Sequence, residues 1–326
     1  MRRLPVALLC LGAAALVSAV CALSLGTPYV PPARLPATLG SDGLAGLVVT
    51  ELRLPRVLVG LLVGASLGLA GALFQSISRN PLGSPDVLGL GQGATAGALV
   101  VIVLFSGTAD QVALGALAGG LATGFAIYVL AWKRGVHGYR LVLVGIGVSA
   151  IVTAVNGYLL TKSDIVDAAR AIVWMTGSLE GRDWDQVWPL LALCAVLVPL
   201  VLANSRGLRT MEMGDDVSYA LGVRVERVRL VLMLSAVLLT ASATAASGPV
   251  GFIALTAPQL ARRLTRAPGP NLVPAMCMGA ALLVGSDWIS QRVFGAGQLP
   301  VGVVTGVLGG VYLLWLLVTE RRAGRI

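Results

Sequence analysis

Residues 230–261 read LVLMLSAVLLTASATAASGPVGFIALTAPQLA, thirty-two positions without one charged side chain. As a single helix this stretch would be about 48 Å long, against a hydrocarbon core of about 30 Å. Ser247-Gly248-Pro249 stands in its middle, and a Gly-Pro step interrupts a helix. The stretch therefore reads as two short crossings joined by a turn. Outward from it, the other charge-free stretches are Leu4–Ala33, Val57–Ser78, Val87–Ala109, Gln111–Trp132, Leu141–Thr161, Gln186–Ser205, Ala267–Ser286 and Val293–Thr319. Each holds roughly the 20 apolar residues that one span needs. The expectation is an all-α integral membrane protein of about ten transmembrane helices, forming a single domain over 1–326.

Composition agrees. The chain is 56% apolar and 12% charged, about half the charge of an ordinary soluble domain. The net charge of +9 comes almost entirely from arginine, and the basic residues cluster between apolar runs, where they act as topology signals rather than as a nucleic-acid surface. Ten crossings with both termini cytoplasmic put most of the 24 basic residues inside, including Arg2, Arg3, Arg79, Arg206, Arg209, Arg262, Arg263, Arg321 and Arg322. The first apolar run also resembles a secretory signal with a cleavage point near Ala19. An uncleaved first helix is the better reading, because everything after it is membrane-embedded and the run is longer than a signal core.

Cys10, Cys21, Cys194 and Cys277 lie in apolar runs without metal-ligand or pairing patterns, and His137 sits in a short basic loop. No catalytic, metal or cofactor residues are expected. Gly60, Gly64 and Gly68 repeat at four-residue spacing, as do Gly115 and Gly119, and Gly302, Gly306 and Gly310. That spacing lets helix backbones approach closely, so these glycines read as bundle packing.

Ion-coupled carriers bury ionisable relays within their spans, and this chain has almost none; Asp287 lies at a helix edge. Neither Lys133 nor Lys162 follows a glycine, so no phosphate-binding G-x-x-x-x-G-K-[ST] loop is present. If ATP drives the protein, the ATPase is a separate chain, and a structured cytoplasmic loop must receive it. Residues 206–229 form the longest such loop and mix apolar and charged residues at helical spacing. Asp215 is expected to cap a short helix, Asp216–Leu221, ended by Gly222. Val223 and Val225 then lead into the next span. A compact knob of this kind can seat in a partner's groove; from pattern alone, an ordinary surface loop fits equally well.

Several ordered motifs carry a resemblance over nearly the whole chain: Leu52-Arg53-Leu54-Pro55-Arg56, 79–89 (RNPLGSPDVLG), 174–179 (WMTGSL), 211–216 (MEMGDD), Leu221-Gly222-Val223, 248–253 (GPVGFI) and 299–305 (LPVGVVT). The sequence resembles the FecCD-type, BtuC-like permeases that import iron-siderophores, haem or vitamin B12. Asn80–Asp86, Glu212–Asp216 and Gln298–Val304 look most like its ferric enterobactin (catecholate siderophore) branch.

The resemblance implies an ATP-driven importer in the bacterial inner membrane. Its other parts would be a second permease (a paralogue or an identical copy), two ATPase chains and an extracytoplasmic binding protein. It implies that Met211, Glu212, Met213, Gly214, Asp215, Asp216, Leu221, Gly222 and Val223 contact the ATPase mechanically. It also implies that arginines at Arg53 and Arg56 receive acidic residues of the binding protein, although lipid-headgroup anchoring is a further reading of both. A third docking arginine, four residues after an aspartate, would fall on Gln291; Arg292 is one residue beyond. Gln259 stands where a histidine is frequent after proline. The path is expected along Leu141–Leu160 and a short outer-face helix within 164–181. An ion-coupled carrier remains the alternative of a different class.

Overall fold

The computed structural model describes residues 3–322 except 27, 40, 42, 133–137 and 293–297, and every regular element among them is helical. His137, Lys133 and the terminal arginines Arg2 and Arg325 lie outside the described residues. The chain begins with α1 (Arg3–Ser24), a 3-10 turn (Pro32–Arg34), α2 (Leu35–Thr38) and α3 (Leu44–Leu47). A π-helical turn (Val48–Arg53) runs straight into α4 (Leu54–Ser78). There follow α5 (Leu90–Phe105), α6 (Ala109–Ala131), α7 (Gly138–Lys162), α8 (Ile165–Met175) and α9 (Trp184–Ala203). Two short helices, α10 (Ser205–Met211) and α11 (Asp215–Ala220), precede α12 (Val225–Ser247), α13 (Ile253–Thr265), α14 (Leu272–Ser290) and α15 (Val301–Arg322).

Six helical stretches are long and apolar enough to cross a membrane by length and composition: 44–78, α6, α7, α9, α12 and α14. Shorter apolar stretches lie in α1, α5 and α15. The break expected at Ser247-Gly248-Pro249 is present: α12 stops at Ser247, Gly248 takes φ 72°, and α13 starts at Ile253. Other boundaries differ from expectation. The first helix ends at Ser24, not Ala33, because Pro28, Pro31 and Pro32 follow. The last begins at Val301, immediately after Pro300. The outer-face helix stops at Met175, and 176–181 is irregular, with Gly177 and Gly181 both at φ 68°.

α4 is the axis of the core, packed on α14, α12, α13 and α9, with Val59, Val63, Leu69, Leu73 and Phe74 fully enclosed. Gly64 and Gly68 lie directly against the carbonyls of Gly279 and Ala275 on α14, a separation that admits no side chain. Gly115 and Gly119 pack the same way on Gly97 and Gly93 of α5. Among the described residues, the α15 stripe packs through Gly302, on the Thr176 carbonyl, and nothing lies within 4 Å of a side chain built at Gly306 or Gly310.

Non-helical backbone inside an apolar bundle must find partners within the protein, and two junctions supply them. At the end of the bundle away from α10 and α11, Ser178 N donates to the Ser247 carbonyl (2.8 Å) and Gly302 N to the Gly177 carbonyl (3.1 Å). The second is the 79–89 loop, which lies along α13. Phe252 N donates to Asp86 Oδ2 (3.3 Å). Two turns further on, Gln259 Nε2 donates to the Pro81 carbonyl (3.1 Å) and to Gln75 Oε1 (2.7 Å).

Candidate functional site

The 206–229 segment folds as a knob whose rigidity comes from its own small core. Leu208, Met211, Ser218 and Val225 are buried beneath it. Gly214 (φ 123°) and Gly222 (φ 78°) bracket α11, with no atom near enough to constrain a side chain at either. Gly222 ends the helix as expected. Asp215 does not cap it: Gly214 occupies the cap, and Asp215 lies in the first turn.

Asp215 is instead the hub of an ion cluster. Its Oδ2 accepts from Arg229 Nη2 (2.7 Å) and its Oδ1 from Arg79 Nη2 (2.5 Å). Arg229 is 4% exposed and also pairs with Glu226 (2.7 Å). Arg79, held at φ 51° at the end of α4, donates in addition to the Met211 carbonyl (3.1 Å). Burial alone would raise the Asp215 pKa, but hydrogen bonds and charge from Arg229 and Arg79 outweigh it and hold the carboxyl below its ordinary value. The cluster ties α11 to α12 and to the head of the 79–89 loop.

Of the residues expected on this surface, Met213, Asp216, Leu221 and Gly222 are exposed. Glu212, Gly214, Asp215 and Val223 are half-buried, and Met211 points inward. Val217 and Tyr219 were not expected, yet 44% and 53% of their surfaces are open. The spacing Met213, Val217, Leu221 was the available signal, since residues four apart share a face. Together these residues form an apolar crown on a charged base. Arg79 was equally unsignalled, because its partner Asp215 is 136 positions away, and Arg229, 14 positions from Asp215, was not singled out either.

The three arginines at the opposite end have different surroundings. Arg53 donates to the carbonyls of Leu23 and Pro28 (both 2.9 Å), closing the turn after α1. Arg56 forms a two-bond pair with Asp287 and reaches Gln298 Oε1 at 3.3 Å. Gln291 Nε2 also donates to Asp287 (2.8 Å). Arg292 is exposed, its guanidinium 5.6 Å from the Trp288 ring centre. Only Arg292 of the three extends from the surface without a hydrogen-bonding acceptor among the described residues. Along the expected path, α7 buries only Leu141, Gly145, Asn156 and Leu159. Among the described residues, no three His, Cys, Asp or Glu side chains gather to hold a metal.

An apolar multi-helix bundle with interrupted helices and a braced knob at one end is the architecture of a multi-pass membrane protein. The FecCD transport family model matches residues 14–319, and the chain belongs to that family. It is 45% identical to the ferric enterobactin transport system permease protein FepG of Escherichia coli K12, over 98% of both chains. It is 38% identical to the iron(3+)-hydroxamate import system permease protein FhuG of Bacillus subtilis 168, over 90% of this chain and 91% of that one. A solved inward-facing metal-chelate type ABC transporter superposes with a TM-score of 0.85 at 26% identity, covering 97% of this chain and 99% of that one.

Proposed function

We propose that this chain is the permease subunit of an ATP-driven importer of ferric siderophores, with ferric enterobactin or another catecholate as cargo. The 45% identity to FepG over 98% of both chains is the observation that carries the cargo class. In this reading the helices cross a bacterial inner membrane ten times: the six long stretches, the shorter apolar helices α1, α5 and α15, and α13. Both termini and the knob face the cytoplasm.

The knob's apolar crown, Met213, Val217, Tyr219 and Leu221, seats in a groove of a separate ATPase subunit, one of two. Glu212, Asp216, Gly222 and Val223 border that contact, and Met211, Gly214 and Asp215 hold its shape. Movement of the knob reaches the transmembrane core through Arg79, which joins Asp215 and Met211 to the 79–89 loop, and through that loop to α13. Access then alternates as the ATPases close and separate. The open face of α7, with residues 164–181, lines the path against a second permease, a paralogue or an identical copy. Gly306 and Gly310 leave room for that neighbour on α15.

At the outer end Arg292 receives an acidic residue of the substrate-binding protein. Arg53 and Arg56 hold the rim in shape and supply positive charge beneath it. Gly222→Leu tests the coupling role, since a branched side chain at φ 78° distorts the turn. In the assembled complex, uptake should fall while basal ATPase activity persists. Normal coupled uptake would overturn the assignment of the knob.

A further inference from the structure

A cavity of about 340 Å³ opens at the knob's end of the bundle, where the first half of α1, the end of α9, α10 and the α13–α14 loop come together. Arg206 and Arg209 line it from α10, three residues apart and therefore on one face of that helix. Both are exposed, and neither belongs to the surface assigned to the ATPase. Neither guanidinium has a hydrogen-bonding or ion-pair partner among the described residues. No carboxylate is among the described residues that line the cavity. Glu212 lines a separate cavity, shared with Arg79 and Arg262, beyond the Ala267–Pro268 segment that borders both.

The α13–α14 loop is a stiff wall for this cavity. Arg266 (φ 48°), Gly269 (φ 99°) and Asn271 (φ 47°) take left-handed conformations, and Pro268 and Pro270 restrict the residues between them. Asn271 Nδ2 donates to the carbonyls of Ala267 and Gly269 (both 2.9 Å), occupying two acceptors that would otherwise repel an anion. A side chain built at Gly269 would stand 3.5 Å from Arg209 Nε, so the loop runs alongside that guanidinium. α14 starts at Leu272 with no side-chain cap, and an uncapped helix start carries partial positive charge. The remaining lining is apolar, chiefly Leu8 of α1, Leu202 of α9 and Val273 of α14. From α9 into α10 the lining passes from Leu202 through Ser205 to Arg206 and Arg209. An apolar slot against the long helices, then two cations beyond their ends, follows the order of acyl chain and phosphate in a lipid.

We infer that this cavity binds one anionic phospholipid of the glycerol-headgroup type, from the leaflet on the knob's side. Arg206 and Arg209 take the phosphate, the start of α14 adds to the positive field around it, and an acyl chain lies over Leu8, Leu202 and Val273. Charge complementarity selects the occupant. An ethanolamine or serine headgroup brings an ammonium, for which the lining offers no carboxylate. A soluble phosphate would leave the apolar half empty. A topology signal requires only net positive charge on this side, whereas a basic cavity between membrane helices is where an anionic lipid headgroup seats. The inference is independent of what the permease carries, and it places a lipid at the root of the knob.

The test uses the full chain purified in detergent and native mass spectrometry with three probes: phosphatidylglycerol, phosphatidylethanolamine and soluble glycerol phosphate. Phosphatidylglycerol should remain bound at about tenfold lower concentration than phosphatidylethanolamine, and glycerol phosphate should not bind. Arg209→Gln should weaken retention of phosphatidylglycerol about tenfold, as loss of a charged hydrogen bond does, and leave that of phosphatidylethanolamine unchanged. Should that variant misfold, Leu202→Trp decides: it fills the apolar half, leaves both arginines in place and should abolish the preference for phosphatidylglycerol. A diazirine-bearing acyl chain on phosphatidylglycerol should label 202–206 and 272–276. Equal retention of the two lipids, an undiminished preference in Arg209→Gln, or labelling spread over all apolar faces would show only annular lipid and overturn the site. Glycerol phosphate bound as tightly as the lipid would overturn a lipid as the occupant.

Discussion

Arg56 clasps Asp287 with two parallel hydrogen bonds, Nε to Oδ2 at 3.0 Å and Nη2 to Oδ1 at 2.8 Å. The start of α4 and the end of α14 are thereby joined at one point. With side chains only 16% and 4% exposed, the pair is structural in its position.

Removing one partner strands the other charge, so Asp287→Ala should destabilise the chain by about 3–5 kcal/mol. Replacing both residues with apolar ones of similar volume should recover most of that loss. Thermal unfolding in detergent measures both variants, and a wild-type transition in Asp287→Ala would refute the structural role.

Arg292 contrasts with Arg56. Arg292→Glu should unfold like wild type, because the Arg292 side chain is exposed and makes only a ring contact, with Trp288, among the described residues. Binding-protein-stimulated transport should nevertheless drop sharply, and the loss should be partly restored by an acidic-to-basic change on the binding protein. Stimulation unchanged by Arg292→Glu would remove it from the docking surface.

The Asp215 cluster has a pH signature. A carboxyl held below its usual range stabilises the knob above the unfolded pKa of about 4 and loses that contribution as pH falls through its folded pKa. Protection factors across 211–222, with the intrinsic pH dependence of exchange divided out, should therefore be constant near neutrality and fall only below about pH 4. Asp215→Asn should exchange faster at pH 7 and lose that acid step. Arg79→Ala should leave the knob folded on Arg229 while lowering ATP-dependent uptake.

Gly64→Val should prevent α4 and α14 from closing, since its Cβ would meet the Gly279 carbonyl. Overpacking of this kind costs about 1–3 kcal/mol or more. Gly306→Val, facing open space within this chain, should leave its stability unchanged. Thermal unfolding of both variants separates packing inside the chain from packing against a neighbour.

Much of this arrangement was legible because it is written locally. Apolar runs marked the long helices, Ser247-Gly248-Pro249 marked the break, and Gly222 marked the end of α11. The departures arose where distant residues decide. Asp215 has cap chemistry, but Arg229 and Arg79 offer it charge that a backbone N–H cannot match. Arg56 sits where a docking arginine is expected, yet Asp287, 231 positions away, takes its Nε–Nη2 edge and Gln298 accepts from its Nη1. Spacing within a helix conveys faces, but not what a neighbouring helix presents to them. The helical turns of 44–53 were missed because Glu51 and Arg53 interrupt the apolar run that marks the span.

The shortness of α13 has a consequence for how the chain is made. Its 13 residues rise only about 20 Å, and Arg262 and Arg263 occupy its last turn. Such a segment is too short and too charged to leave the translocation channel for lipid unaided. If the chain crosses ten times as proposed, α13 would enter the bilayer as the second arm of a hairpin whose first arm, α12, is already seated. The order of synthesis thus places the anchoring arm first, and a ribosome stalled between Ser247 and Ile253 would leave a product whose end cannot yet cross.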